Sequence, residues 1–378
     1  MAGPSVSVLL PVYNSARFLS LALDSILSQT HADFELVALD GGSTDGSIAL
    51  LQQAAARDGR VQVVVEPGLA LIESLNLGLS RARAPLIARM DADDVARSDR
   101  FAKQCAFLQR HPDIVAVSGA VDIIDEAGRY VETLAFPTLP AAVAEELPFR
   151  PVVVHPAVMM RADAVRRLGG YRPIARYAED YDLWLRLVEV GAIANLPDVL
   201  LSYRMHASNA SRLRFIEQEL SVLAARAAAR RRRAGADDPL VLAQQRAPGA
   251  GLSLARLRAI FGAPTFAGEF AIPFFRGTLA KASAMDAMPA WLRLFARYGF
   301  LHISPEAARM LLLLAGKLML ERRRAGARAT SLAPYVGLAL MLFARHPRAA
   351  LREVRQLPRW RRIARYGLLG PRADARGG

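Results

Sequence analysis

The sequence predicts an α/β fold, with a mostly parallel central sheet covered by helices and a basic, mainly helical region after it. Three observations carry that expectation. Short Val/Leu/Ile-rich runs alternate with longer helical stretches over residues 5–120. The texture then changes near residue 212 to Ala/Arg/Leu-rich helix, and the charge changes with it. Residues 1–212 hold 20 Lys+Arg against 25 Asp+Glu, whereas residues 213–378 hold 29 against 10. Strands alternating with helices give βα units, whose parallel sheet must be covered on both faces.

The elements follow in order. Runs at 5–12, 34–39, 61–66, 85–90 and 114–118 are short and rich in Val, Leu and Ile, the pattern of buried strands. Helical periodicity fills the gaps at 16–29, 45–57, 69–83 and 97–111. In the first of these helices Phe18, Ala22, Ser25, Ile26 and Gln29 share a stripe, flanked by Leu19, Leu23 and Leu27. Residues 121–212 are more mixed. They contain an apolar run at 156–161, a helix from about Arg161, a Gly169-Gly170 turn, a helix at 179–190 and a strand at 199–205. Helix continues from about 213, broken at 235–239, 247–251 and 262–264, and no internal repeat is evident. The expected division is a domain at 1–212 and a basic helical region at 213–378.

Bulk properties narrow the function classes. A chain of 378 residues with 53% hydrophobic content has ample material for a core, which excludes a disordered protein. The single cysteine, Cys105, excludes a disulfide framework and any cysteine-based zinc site. The start leads into a strand without a basic, apolar leader, and the apolar runs at 310–314 and 329–344 are too short to span a bilayer. A cytoplasmic protein is therefore expected. The net charge of +14 belongs to the second half.

Ligands of such sheets bind beyond the carboxyl ends of the strands, where the chemically interesting residues fall. Pro11, Tyr13 and Asn14 close the first strand; the aromatic ring and the amide suit a nucleotide base, while a simple strand-ending turn is an equal reading. Asp40 ends the second and opens Asp40-Gly-Gly-Ser-Thr-Asp-Gly46, in which the carboxylate can meet a base or ribose and Ser43 or Thr44 can cap the next helix. Asp91, Asp93 and Asp94 follow the fourth strand. Three carboxylates so close repel one another unless a hard cation neutralises them, and Mg²⁺ or Mn²⁺ favours such oxygen ligands. In Glu179-Asp-Tyr-Asp182 the positions three, four and seven after Asp180 are Leu183, Trp184 and Leu187, so Asp180 opens the apolar stripe. A carboxylate withdrawn from water has a raised pKa, which suits a general base. His206 ends a strand and is a candidate for the diphosphate or metal, whereas His155 reads as a core histidine.

These four blocks, in this order, resemble the family-2 inverting glycosyltransferases with the nucleotide-sugar-binding GT-A fold. The resemblance spans about residues 5–212 and includes Arg100, Gln104, Tyr203, Arg204, Ser208 and Ser211. It implies that Asp40 contacts the base or ribose, that Asp91 and Asp93 bind Mn²⁺ or Mg²⁺ and the donor diphosphate with Asp94 in support, and that Asp180 is the catalytic base. Pro11, Tyr13, Glu179 and His206 join Asp40 and Asp91 in substrate binding. The implied partners are a nucleotide-sugar donor and a saccharide or lipid-linked saccharide acceptor, in cell-surface polysaccharide or lipid-linked glycan assembly. The sequence departs from the family at Gly41, where a second aspartate is common. A binding or scaffolding protein without turnover is the alternative, kept open by Gly41.

Nothing recognisable covers 213–378. Five arginines at 226–233 and a cluster at 345–365 around Trp360 suit two readings equally: helices packed on the first domain with a solvated basic face, or peripheral attachment to an anionic membrane surface through apolar runs at 310–320 and 338–343. Nucleic acid is not expected as a partner.

Overall fold

The structure, a computed structural model, describes residues 3–206 and 214–262. The chain runs β1 (Val6–Val12), α1 (Ala16–Leu27), β2 (Phe34–Asp40), α2 (Ser47–Arg57), β3 (Val61–Val65), α3 (Leu71–Arg81), β4 (Leu86–Arg89), β5 (Val95–Ala96) and α4 (Arg100–Arg110). It continues with β6 (Ile114–Ile124), β7 (Tyr130–Leu134), α5 (Pro140–Glu146), β8 (Met159–Arg161), α6 (Ala162–Arg167), α7 (Glu179–Leu187) and β9 (Ala192–Arg204). Three more helices follow: α8 (Phe215–Arg233), α9 (Pro239–Arg246) and α10 (Leu254–Phe261).

One nine-stranded sheet organises these elements in the order β3-β2-β1-β4-β8-β6-β9-β5, with β7 on β6. The pairs β1–β2, β1–β4, β2–β3 and β6–β9 are parallel. The short β8 lies antiparallel between β4 and β6 and joins the two parallel parts. The expected α/β architecture is therefore present, and the four expected helices between the first strands appear with most of their ends trimmed by one to three residues.

Alternation along β1 explains why both faces are covered. Leu10 belongs to the core cluster with Leu19, Leu23, Ile26 and Phe101. Its neighbour Leu9 points the other way, into the cluster of Leu75, Tyr181, Trp184 and Leu187. Each fully buried leucine contributes about 1.5–3 kcal/mol of transfer free energy, so the central strands anchor both layers. Three elements escaped the sequence reading. β5 has two residues, β7 is exposed at all five positions and so shows no alternation, and α5 is a seven-residue helix in the mixed segment.

The chain divides into two compact units, residues 1–253 and 254–378. The boundary expected at 212 falls among residues 207–213, outside the described residues, as do Ser208 and Ser211. Within the first unit α8 packs on α7. Leu220, Leu223, Ala224, Ala225, Ala228 and Ala229 are buried, Ser221 donates to Arg176 O at 2.7 Å, and Arg226 Nε donates to Tyr181 Oη at 2.9 Å. Of the arginine run, Arg232 pairs with Glu189 at 2.8 Å and with Asp238 at 2.6 Å. The described start of the basic region therefore follows the packed reading. The apolar and arginine-rich runs beyond residue 262 lie outside the described residues. Among the described residues, no helix is long and apolar enough to cross a membrane.

Candidate active site

The carboxyl ends of β1 and β2 carry the first cluster. Pro11 lies within β1 opposite Leu39, and Tyr13 just beyond is 65% exposed, with its ring free to meet a flat ligand. Asn14 takes a left-handed φ of 47°, a conformation asparagine tolerates. It accepts from Thr44 N at 2.8 Å through its side chain and donates its own N–H to Ser43 Oγ at 2.8 Å.

Asp40 is held by its own loop. Its side chain is fully buried, with one oxygen accepting from Gly42 N at 2.8 Å and Ser43 N at 2.7 Å, and the other from Ser43 Oγ at 2.7 Å. These three bonds fix the loop around Asp40; nothing in the sequence showed that its own loop would supply three donors. The capping expectation also changes. Neither Ser43 nor Thr44 caps α2; Asp45 does the work, accepting from Ser47 N at 3.1 Å and Ser47 Oγ at 2.6 Å, and from Ala16 N at the start of α1 at 2.9 Å. Burial pushes the Asp45 carboxyl up, but these donors hold it below the usual carboxylate range.

The same loop explains Gly41. A Cβ there would lie 2.6 Å from the carbonyl oxygen of Leu69 and 3.5 Å from Tyr13 Cδ2. The opposing backbone is fixed, because Gly68 N donates to Gly41 O at 2.9 Å and Glu66 N donates to Asp40 O at 2.9 Å. The missing second aspartate is thus replaced by a close backbone approach.

The second cluster follows β4. Asp91, Asp93 and Asp94 each offer an oxygen within 4.8 Å of the others. Asp91 and Asp93 keep 30% and 26% of their side chains exposed, in a recess walled by protein. Asp94 is buried; one oxygen accepts from Arg204 N at 2.8 Å and the other has no partner among the described residues. Burial raises the carboxyls of Asp91 and Asp94; Arg89 opposes that rise at both, and the neighbouring aspartates add to it. Two solvent-reaching carboxylates, an orphaned buried oxygen and mutual repulsion are what a hard divalent cation would satisfy, so the residues fit one. His206 Nε2 lies 2.8 Å from Asp93 Oδ2, and its ring packs 5.5 Å from Phe18. A cleft of about 460 Å³ opens beside His206, with Arg17 and Arg129 on its wall.

The third cluster begins α7, and its carboxylates have different fates. Leu183, Trp184 and Leu187 are buried as the stripe requires. Asp182 is buried in an ionic network, accepting from Arg172 Nε and Arg186 Nε at 2.9 Å each, with Arg172 also reaching Asp238 at 2.6 Å. Its role is structural. Asp180 is half-buried and Glu179 more deeply so. Burial and Asp180 push Glu179 up to about 7. Burial also raises Asp180, partly offset by the Tyr181 N–H and by Arg89, with Asp91 adding to the rise. The charge of Asp91 therefore reaches Asp180. His155 is a core histidine as expected, bonded to Tyr171 Oη at 2.9 Å, and burial holds it neutral.

Two arginines organise these clusters. Arg204 donates through Nε to Asp93 O at 2.9 Å and through its backbone to Asp94. Arg89 pairs with Asp91 and is buried. The sequence reading gave Arg89 no role, although an arginine ending an apolar strand was a visible signal.

Comparison with known proteins converges on one family. Residues 7–169 match the model of glycosyl transferase family 2. The chain is 38% identical over 209 residues to the putative glycosyltransferase EpsE of Bacillus subtilis, covering 54% of this chain and 74% of that protein. It is 33% identical over 205 residues to the O-antigen biosynthesis glycosyltransferase WbnJ of Escherichia coli, covering 53% and 80%. A crystal structure of S. aureus TarS 1–349 in complex with UDP-GlcNAc shares the fold, with a TM-score of 0.51 at 18% identity over 89% of this chain and 90% of that one.

Proposed function

Because this chain belongs to glycosyl transferase family 2, we propose that it moves a sugar from a nucleotide-sugar donor to an acceptor hydroxyl with inversion at the anomeric carbon. The observation that carries this reading is the Asp91–Asp93–Asp94 cluster just after β4, with the charge of Asp91 reaching Asp180 at the start of α7.

In this reading Tyr13 receives the base, on a loop fixed by Asp40 and Asp45. Asp91 and Asp93 would hold a divalent cation, Mn²⁺ or Mg²⁺, which supplies positive charge for the donor diphosphate. His206 orients Asp93, and Arg204 holds the backbone of the same loop. Asp180 accepts the proton of the acceptor hydroxyl as that oxygen bonds to the anomeric carbon. The bond from that carbon to the diphosphate oxygen breaks in the same displacement, and its electron pair leaves with the nucleoside diphosphate. Glu179, held near neutral pH by burial, limits the negative charge beside Asp180. The O-antigen name of the WbnJ relative supports a saccharide acceptor in surface polysaccharide assembly.

The test is a panel of nucleotide sugars with and without Mn²⁺, read by release of nucleoside diphosphate and by the anomeric configuration of the product. Asp180→Asn is expected to lower turnover by about 10²–10⁴-fold while donor affinity stays within a few-fold, the size of a lost general base. An active Asp180→Asn enzyme, or retention of configuration, overturns the mechanism. Donor binding with no release by the wild-type chain would instead support the alternative of a binding protein.

A further inference from the structure

Arg89 ends β4 among apolar residues, and its backbone is fixed from both sides. Its N–H donates to Val158 O at 3.1 Å, and its carbonyl accepts from Arg100 Nη2 at 2.8 Å. The side chain is buried, with Nη1 paired to Asp91 Oδ2 and Nε without a partner among the described residues. Its charge lowers the carboxyls of Asp91 and Asp94, and those of Glu179 and Asp180. Those four groups belong to two distant segments, and buried carboxylates brought together without a cation would repel.

We infer that Arg89 is the resident counter-ion of Asp91, a buried positioning residue that holds this carboxylate turned toward the site whether or not a divalent cation is bound. The guanidinium suits this task because its charge is permanent, so it stays paired with Asp91 at any ordinary pH. Fixed at its backbone, it does not leave with the cation. A bound cation shares Asp91 with Arg89, and the apo pocket retains its geometry. The role attached to Asp91 rests on the transferase reading above; the counter-ion role itself rests on burial and charge.

Thermal unfolding of the full chain after EDTA treatment, with and without added Mn²⁺, tests it. Arg89→Gln is expected to lower the metal-free midpoint by about 8 °C, the scale of breaking a buried ion pair. Mn²⁺ should then raise the variant's midpoint by more than the wild type's, because the ion replaces the missing charge. Adding Asp91→Asn to Arg89→Gln should raise the metal-free midpoint again, since one uncompensated carboxylate is removed. Arg89→Lys should recover at least half of the loss, and it carries the test if the glutamine variant does not fold. A metal-free midpoint equal to wild type in Arg89→Gln overturns the inference. So does a double variant that melts below Arg89→Gln, or an Arg89→Lys protein no more stable than Arg89→Gln. A wild type that does not respond to Mn²⁺, with the rescue by Asp91→Asn intact, removes the metal reading and leaves the counter-ion role standing.

Discussion

Placing an aspartate at Gly41, as the family pattern has it, is expected to destabilise this protein. Any Cβ at that position would lie 2.6 Å from Leu69 O, where ordinary contact begins at 3.4 Å, so one backbone must give by about 0.8 Å. Neither is free to move, since Gly41 N donates to Val12 O at 3.0 Å and Gly68 N donates to Gly41 O at 2.9 Å. Forced overpacking of this kind costs about 1–3 kcal/mol. Replacing glycine also restricts the unfolded chain, which returns about 0.4–1 kcal/mol, so the net effect remains a loss. A unit of this size shifts its midpoint by roughly 2–4 °C per kcal/mol, and a fall of about 4 °C follows for Gly41→Asp. Gly41→Ala, which has the Cβ but no charge, should fall similarly. Circular dichroism melts of the three proteins at one pH decide the matter. If both variants melt within about 1 °C of wild type, the close approach to Leu69 is not what keeps glycine there.

Two further outcomes follow from the start of α7. Asp182→Ala leaves Arg172 and Arg186 buried without their shared partner and should cost about 3–5 kcal/mol in urea unfolding at pH 7; a cost under about 1 kcal/mol would refute the network's role. Because burial raises Asp182 but Arg172 and Arg186 hold it below the ordinary 3.8, its contribution is present above that value and is lost as pH falls through its folded pKa. Glu179 behaves oppositely. Folded, it holds its proton to about 7 against an ordinary 4.5, so wild-type stability should fall as pH rises through that window. Glu179→Gln should therefore be more stable than wild type at pH 8, by up to about 3 kcal/mol, and lose that advantage below pH 4. Parallel stability–pH curves for the two proteins would contradict this.

Much of the fold was legible because periodicity is a local signal. The apolar runs of β1, β2 and β4 and the stripe of α1 are visible within a dozen residues. The position of β8 was not, since the apolar run at 156–161 shows no period and its place between β4 and β6 is a property of the whole sheet. The site divides in the same way. Asp91 and Asp93 announce themselves by crowding, but the fates of Glu179, Asp180 and Asp182 depend on Arg172, Asp238 and Arg89, which arrive from elsewhere in the chain. Asp40 was visible as a strand-end carboxylate, yet its three bonds depend on how residues 42 and 43 turn. Gly41 showed as a departure from pattern, and its cause lay 28 residues downstream at Leu69.

The acidic loop after β4 is short enough to copy into another protein, and doing so would fail. Its position depends on supports outside the motif. Arg100 Nη2 holds Arg89 O at 2.8 Å and Val158 O at 3.2 Å. Gln104 Nε2 spans Val117 O and Ala157 O at 2.9 Å each. Arg204 contributes from the far end of β9. A graft would need α4, β6, the turn before β8 and the last residue of β9 to travel with five residues of loop. The unit that evolution can exchange is therefore the sheet with its bracing arginines, and a match to the aspartates alone understates how much chain is required to make them useful.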